Sequence, residues 1–263
     1  MAHTFSTKAQ RRVGAVLFYG GNMEAFARAI EAAARDMGCR GIGTMGEKSL
    51  HLTLKHYYAP DPDTHELPVG GFIADAVTEH GVVEIQTRGL SRLKPKLDAF
   101  LPCCPVTVVH PVIAEKQVIR VDENGEIISQ RKSPVHETVF SKMREIYTLR
   151  DYFARENFRL LLPVLSINEY SVPVRKGKYK KLDRDPTALH GEILLDTPAD
   201  FTALLPEACP ETVTAGELAA LLRADANNIR MLLNLFGRLG LAETVGRGRE
   251  GQRWKIVSGV IGR

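Results

Sequence analysis

Long apolar runs are missing from this 263-residue chain. The longest, around Leu160-Leu161-Leu162-Pro163-Val164-Leu165, falls far short of the roughly 20 residues a membrane-spanning helix needs. No membrane association is expected. The N-terminal stretch also lacks a signal-type apolar core followed by a cleavage site, which predicts a cytoplasmic protein. Cysteine is scarce: Cys39, the adjacent Cys103 and Cys104, and Cys209. None forms a C-x-x-C pair and no histidine is spaced to complete a zinc site, so reduced thiols are expected. Phosphate loops are absent too. Gly20-Gly21 precedes a helical pattern, but no Gly-Lys-Ser/Thr follows and no full G-x-G-x-x-G exists. Nor is there a strong charge bias. A net charge of +4 and a pI near 8.9 do not imply nucleic acid by themselves, so the placement of charge matters more.

What is present is a composition of 44% apolar and 25% charged residues, ordinary for a globular protein and long enough for a sizeable core plus a smaller domain. Its centre is a hairpin pattern. Gly71 to Val77 and Val82 to Thr87 are rich in apolar and β-branched residues and flank Thr78-Glu79-His80-Gly81. A turn symmetric about Glu79 and His80 sets Asp75 across from Glu84, with Ile73, Val77, Val82 and Gln86 on the same face. Opposed carboxylates destabilise a sheet, and a hard divalent cation is the simplest remedy. The same spacing also suits a solvated edge hairpin.

Upstream, Asn22 caps a helix over Met23 to Met37, and Gly38 stops it. Glu47 opens a second helix reaching Tyr58, with Leu50, Leu54 and Tyr57 as core stripe and Glu47, His51 and Lys55 on a neighbouring face. Glu47 suits the helix N-terminus through the dipole and is equally a candidate site residue. His65 to Val69 reads as a strand before the hairpin. Downstream, regular helix begins near Lys94, because Pro95 belongs in a first turn, and Val106 to Val112 has the apolar run of a strand buried on both faces. The order is α-β-β-β-α-β.

A helix glutamate, a strand aspartate and a Glu-x-Lys-like tripeptide in this order resemble the PD-(D/E)xK nuclease superfamily, which includes Holliday junction resolvases and many restriction enzymes. The resemblance covers residues 47–112. It implies a restriction-endonuclease-like α/β core in which Asp75 and Glu84 hold Mg²⁺ (or Mn²⁺) and Glu47 ligates or orients it. The tripeptide here is Glu84-Ile85-Gln86, so the lysine position holds glutamine, assigned to orienting the attacking water. Some members carry the lysine on the following helix instead, where Lys94 and Lys96 are candidates. Glu66 is a spare acid.

Gln117 to Val121 and Glu126 to Gln130 form a second hairpin about Asp122-Glu123-Asn124-Gly125. Arg131, Lys132 and Ser133 bring two cations and a hydroxyl together, suited to a phosphate; Ser133 and Pro134 equally suit a helix start. A helix follows from Val139 to about Thr148, and a further strand from Leu160 to Tyr170. Between Val172 and Pro186 the chain becomes strongly basic, including Lys178, Lys180 and Lys181, as in a flexible loop tracking a phosphate backbone. From Pro198 the pattern resembles a winged helix-turn-helix. Asp225 caps its third helix, placing Asn227, Asn228 and Arg230 toward base edges, with Arg247, Arg249 and Arg253 on a basic wing. The expected organisation is therefore a nuclease-like domain over 1–172, a basic linker over 173–197 and a winged helix over 198–263. The expected activity is Mg²⁺-dependent hydrolysis of DNA phosphodiesters, duplex or branched, with a homodimer allowed; the alternative is a nuclease-like DNA-binding protein that does not cleave.

Overall fold

The computed structural model describes residues 11–13, 16–18, 21–38, 49–175, 177–206 and 208–257. It is a mixed α/β protein built on an eight-stranded mixed sheet. A short ladder of β1 (Arg11–Val13) with β2 (Val16–Phe18) precedes helix α1 (Met23–Gly38). Asn22 caps α1, its Oδ1 accepting from Ala25 N–H at 3.0 Å. Helix α2 (Ser49–Tyr58) leads into an antiparallel meander of β3 (His65–Val69), β4 (Phe72–Thr78) and β5 (Gly81–Ile85). Helix α3 (Lys94–Phe100) then crosses to β6 (Val106–Val109), which lies parallel to β5.

The remaining strands extend the sheet: β7 (Val112–Val121), β8 (Ile127–Lys132), β9 (Phe158–Arg175) and β10 (Lys178–Leu195). β6 and β7 follow one another along the same side of β9, pairing parallel with Phe158–Leu161 and then with Val164–Ser171. Leu162 and Pro163 fall in the gap between them, where the N–H that proline lacks removes no ladder bond to β6 or β7. β10 covers the other side of β9 as an antiparallel partner along nearly its whole length. The basic stretch expected as a linker is thus the distal half of a hairpin of two 18-residue strands. Its charge pattern masked the alternation of a strand that is exposed at one end and buried at the other.

Two apolar clusters occupy opposite faces of this sheet. α1 and α2 supply Phe26, Leu50, Leu54 and Tyr57, packed on Val83, Ile85, Ile113 and Leu165. The other face carries α3, the short helix α4 (Met143–Ile146) and the whole C-terminal unit. The expected helix from Val139 to Thr148 is broken into α4 flanked by two 3-10 turns, and no helix starts at Ser133. Ser133 instead accepts from Val135 N–H at 3.2 Å, holding a turn.

The C-terminal unit comprises α5 (Pro198–Thr202), β11 (Thr212–Thr214), α6 (Ala215–Leu222), α7 (Ala226–Arg238), β12 (Ala242–Gly248) and β13 (Gly251–Ile256). Its strands pair in the order β11-β13-β12. Thr214 and Glu217 form a capping box on α6, and Asp225 accepts from Asn227 and Asn228 N–H on α7. α7 also meets α4 and its flanking turns, so one core runs through both parts of the molecule.

The β4–β5 turn depends on Gly81. Its φ is +110°, and a Cβ there would lie 2.2 Å from the Pro105 carbonyl oxygen, a main-chain atom that cannot step aside. Gly81→Ala is therefore expected to destabilise the protein by about 3 kcal/mol, combining dihedral strain with overpacking. Denaturant unfolding checks this; an unchanged midpoint refutes it.

Candidate active site

Where the carboxyl end of β5 meets β4 and the start of α3 the chain opens a cavity of about 440 Å³. Crevices beyond the carboxyl ends of parallel strands are common ligand sites. His51, Phe72, Asp75, Glu84, Gln86 and Lys96 line it. The backbone ladder between β4 and β5 runs from Thr78↔Gly81 to Ala76↔Val83 and would next set Asp75 opposite Glu84. There the side chains take over. Asp75 N–H donates to Glu84 Oε1 at 3.2 Å, and Ile85 N–H donates to Asp75 Oδ2 at 2.7 Å. Each carboxylate thus accepts from a main-chain N–H of the facing strand, where a regular ladder pair would stand.

The helices on the two faces each send one basic side chain in. From α2, His51 Nε2 lies 3.3 Å from Asp75 Oδ2. From α3, Lys96 Nζ donates to both Glu84 oxygens, at 3.0 and 2.9 Å. Glu84 is only 1% exposed, against 26% for Lys96. These surroundings drive the two acids apart. Burial raises the Glu84 carboxyl, with the Asp75 charge adding to it, and Lys96 does not fully offset the pair. Burial acts on Asp75 in the same direction, but His51, the Ile85 N–H and Lys96 outweigh it and hold that carboxyl below its usual range.

Gln86 does not face the cavity as a free amide. Its Nε2 donates to the Arg88 carbonyl and lies 3.5 Å from the Gly89 carbonyl, so the side chain braces the loop after β5. That loop is further pinned by Glu145, which accepts from Gly89 N–H at 2.7 Å. His110 holds the Gln86 main chain, its Nδ1–H donating to the Gln86 carbonyl at 2.6 Å. Burial lowers the pKa of His110, consistent with a neutral brace. Glu66 bonds Lys55 at 3.0 Å rather than joining the two acids, and Glu47 lies outside the described residues.

In the sequence Lys96 is one of two candidate lysines and His51 has only a helix face. Nothing in the local pattern separates Lys94 from Lys96; the approach of α3 to β5 does. Among the described residues no group of three or more His, Cys, Asp or Glu side chains is placed to hold a metal ion. Two adjoining carboxylates still suit Mg²⁺, which takes one or two carboxylates and completes its shell with water and substrate phosphate oxygens.

The expected nucleic-acid contacts divide. Arg131, Lys132, Lys178, Lys180 and Lys181 are all exposed; Lys132 pairs with Glu115 at 3.1 Å and Lys181 with Glu169 at 3.0 Å. In the C-terminal unit Asn227 and Arg230 are exposed at the start of α7, and Arg230 donates to Asn227 Oδ1 at 2.7 Å. Asn228 is half-buried. Arg247 and Arg249 are exposed about the β12–β13 turn, while Arg253 lies 3.7 Å from Glu217.

The fold and site define a mixed α/β protein with a carboxylate pair on the β4–β5 hairpin, met by a lysine and a histidine from helices on the two faces. The chain belongs to the family of the domain of unknown function DUF8091, whose model matches residues 48–196, the segment holding Asp75, Glu84 and Lys96. An uncharacterized protein of Treponema pallidum (strain Nichols) is 37% identical over 143 residues, 53% of this chain and 57% of that protein. The chain thus spans little more than half the length of this relative. No solved structure matches. Among the described residues no helix is long and apolar enough to cross a membrane.

Proposed function

We propose that this protein is a metal-dependent nuclease of the PD-(D/E)xK kind, hydrolysing phosphodiester bonds in DNA. The observation that carries the reading is Asp75 and Glu84 beside Lys96 in one cavity, on elements running α-β-β-β-α-β with β5 parallel to β6. Asp75 and Glu84 would hold Mg²⁺ or Mn²⁺, and Lys96 takes the role that Gln86 cannot fill, from the following helix. When bound, the metal polarises a phosphate oxygen and lowers the pKa of its water. The Lys96 ammonium stands where charge develops on the phosphate or the attacking oxygen. His51 fixes the Asp75 carboxylate, and the braced 86–90 loop keeps the geometry from relaxing between turnovers.

The C-terminal unit fits a winged helix, with α7 as its third helix and β12–β13 as its wing. Its exposed Asn227, Arg230, Arg247 and Arg249 suit DNA contact. α7 is packed on two flanks, which leaves only a narrow strip for a groove. A second reading is a DNA-binding protein that does not cleave. The double contact of Lys96 with Glu84 favours it, because that ion pair already neutralises the buried carboxylate.

Supercoiled plasmid, a Holliday junction and single-stranded DNA, each with Mg²⁺, Mn²⁺ or EDTA, separate the two. Cutting that needs metal and disappears in Asp75→Ala is the expected result. Tight binding without cutting in any metal would overturn the nuclease reading.

A further inference from the structure

Among the described residues, α1 and α2 cover one part of one face of the large sheet, packing over Ile113, Leu165, Ile167 and Leu189. Farther along that face the register sets Arg131, Val118, Glu169 and Arg184 in one row across β8, β7, β9 and β10. Ser129, Arg120, Ser171 and Lys181 make the next row. Lys116 shares the face, opposite Ile167. Five cations therefore stand on it around one carboxylate. Glu169 is 5% exposed and bonds three of them: Lys116 at 3.3 Å, Lys181 at 3.0 Å and Arg184 at 3.1 Å. One acid holding three bases sets their stems in place and leaves surplus positive charge facing outward.

Aromatic rings mark both ends of this path. Tyr179 is 43% exposed, with the Arg120 guanidinium 4.0 Å from its ring centre. From there the surface runs into a second cavity of about 420 Å³ lined by Arg88, Lys181 and Arg184 and by one acid, Asp183, which accepts from Ser49 N–H at 3.3 Å. It shares His51 and Thr87 with the cavity of Asp75 and Glu84, whose far rim is Phe72, 39% exposed.

We propose that this face is the track of a single-stranded polynucleotide. The strand stacks on Tyr179, lays its phosphates along Lys181, Arg184 and Arg88, and enters the carboxylate cavity toward Phe72. Cations interleaved with aromatic faces bind single strands without reading sequence. Glu84 sits on the cavity floor, and a flexible strand can send a phosphate down to it. A duplex, stiff over about 150 base pairs, cannot follow the bend into the cavity. The C-terminal unit packs on the opposite side of the sheet, away from this track. The proposal rests on the nuclease reading only for what happens at the end of the track.

Fluorescence anisotropy of labelled oligodeoxythymidine with the full chain in EDTA tests binding apart from cleavage. Single strands are expected to bind more tightly than a duplex of equal length. Tyr179→Ala with Lys181→Gln is expected to weaken that binding about tenfold. The slope of log affinity against log salt should fall by roughly 0.7 for the one phosphate contact removed, a change that a merely structural defect would not give. A parallel series with oligouridine shows whether the 2′-hydroxyl is favoured. Equal affinity for duplex, or no effect of the Tyr179 and Lys181 changes, would overturn the track. Absence of cleavage with this binding intact would sink only the nuclease reading.

Discussion

Glu84→Gln is expected to lower metal-dependent cleavage about a thousandfold while leaving the protein at least as stable as the parent at neutral pH. On the nuclease reading, the loss of activity follows from removing one of the two carboxylates that, among the described residues, would hold the cation. The stability result follows from burial. The Glu84 carboxyl is raised from its ordinary value of 4.5 by desolvation and then by Asp75, so its ionised form is disfavoured in the folded chain. A group shifted this way stabilises the fold below its unfolded pKa, and that contribution is lost as pH rises through the folded value. Glutamine keeps the shape and removes the charge, and Lys96, partly exposed, can turn its ammonium to water. The melting temperature of the variant should therefore match the parent in acid and equal or exceed it at neutral pH. Calorimetry across that range decides the matter; a variant melting well below the parent at neutral pH would show that the ion pair is net stabilising. Asp75 behaves oppositely. Its lowered carboxyl supports the fold above 3.8, and that support is lost as pH falls through its folded value.

Lys96→Met is expected to cost both activity and stability. Removing the ammonium leaves a carboxylate that is 1% exposed without its charged partner. Breaking a buried pair from one side costs about 3 kcal/mol, or roughly 6–12 °C in melting temperature for a domain near this size. The deficit should be largest at neutral pH and shrink in acid, where Glu84 takes up a proton and needs no cation. On the nuclease reading, cleavage should fall by about two orders of magnitude, because the Lys96 charge would face the reacting phosphate. The two substitutions thus move stability in opposite directions and activity in the same one. A Lys96→Met chain as stable as the parent at every pH would mean that Glu84 is neutral in the native protein.

Much of the local structure was legible in the sequence, because short-range rules govern it. The two-residue turn at Glu79-His80, the caps at Asn22, Thr214 and Asp225, and the Pro95 start of α3 each depend on a few neighbouring residues. The same is true of the alternation that brought Asp75 and Glu84 to one end of the hairpin. Tertiary structure decided the rest. It made Gln86 a brace, because the loop after β5 turns its own carbonyls toward the amide. It chose Lys96 over Lys94 and brought in His51 through the approach of helices from opposite faces, contacts that join residues 12 and 24 positions from their partners. It also turned the basic stretch after Val172 into a strand, since the partner that pairs with it supplies the hydrogen bonds its own composition does not announce. Side-chain type and spacing set which groups could meet; only the packing of the sheet between its two helix layers determined which of them do.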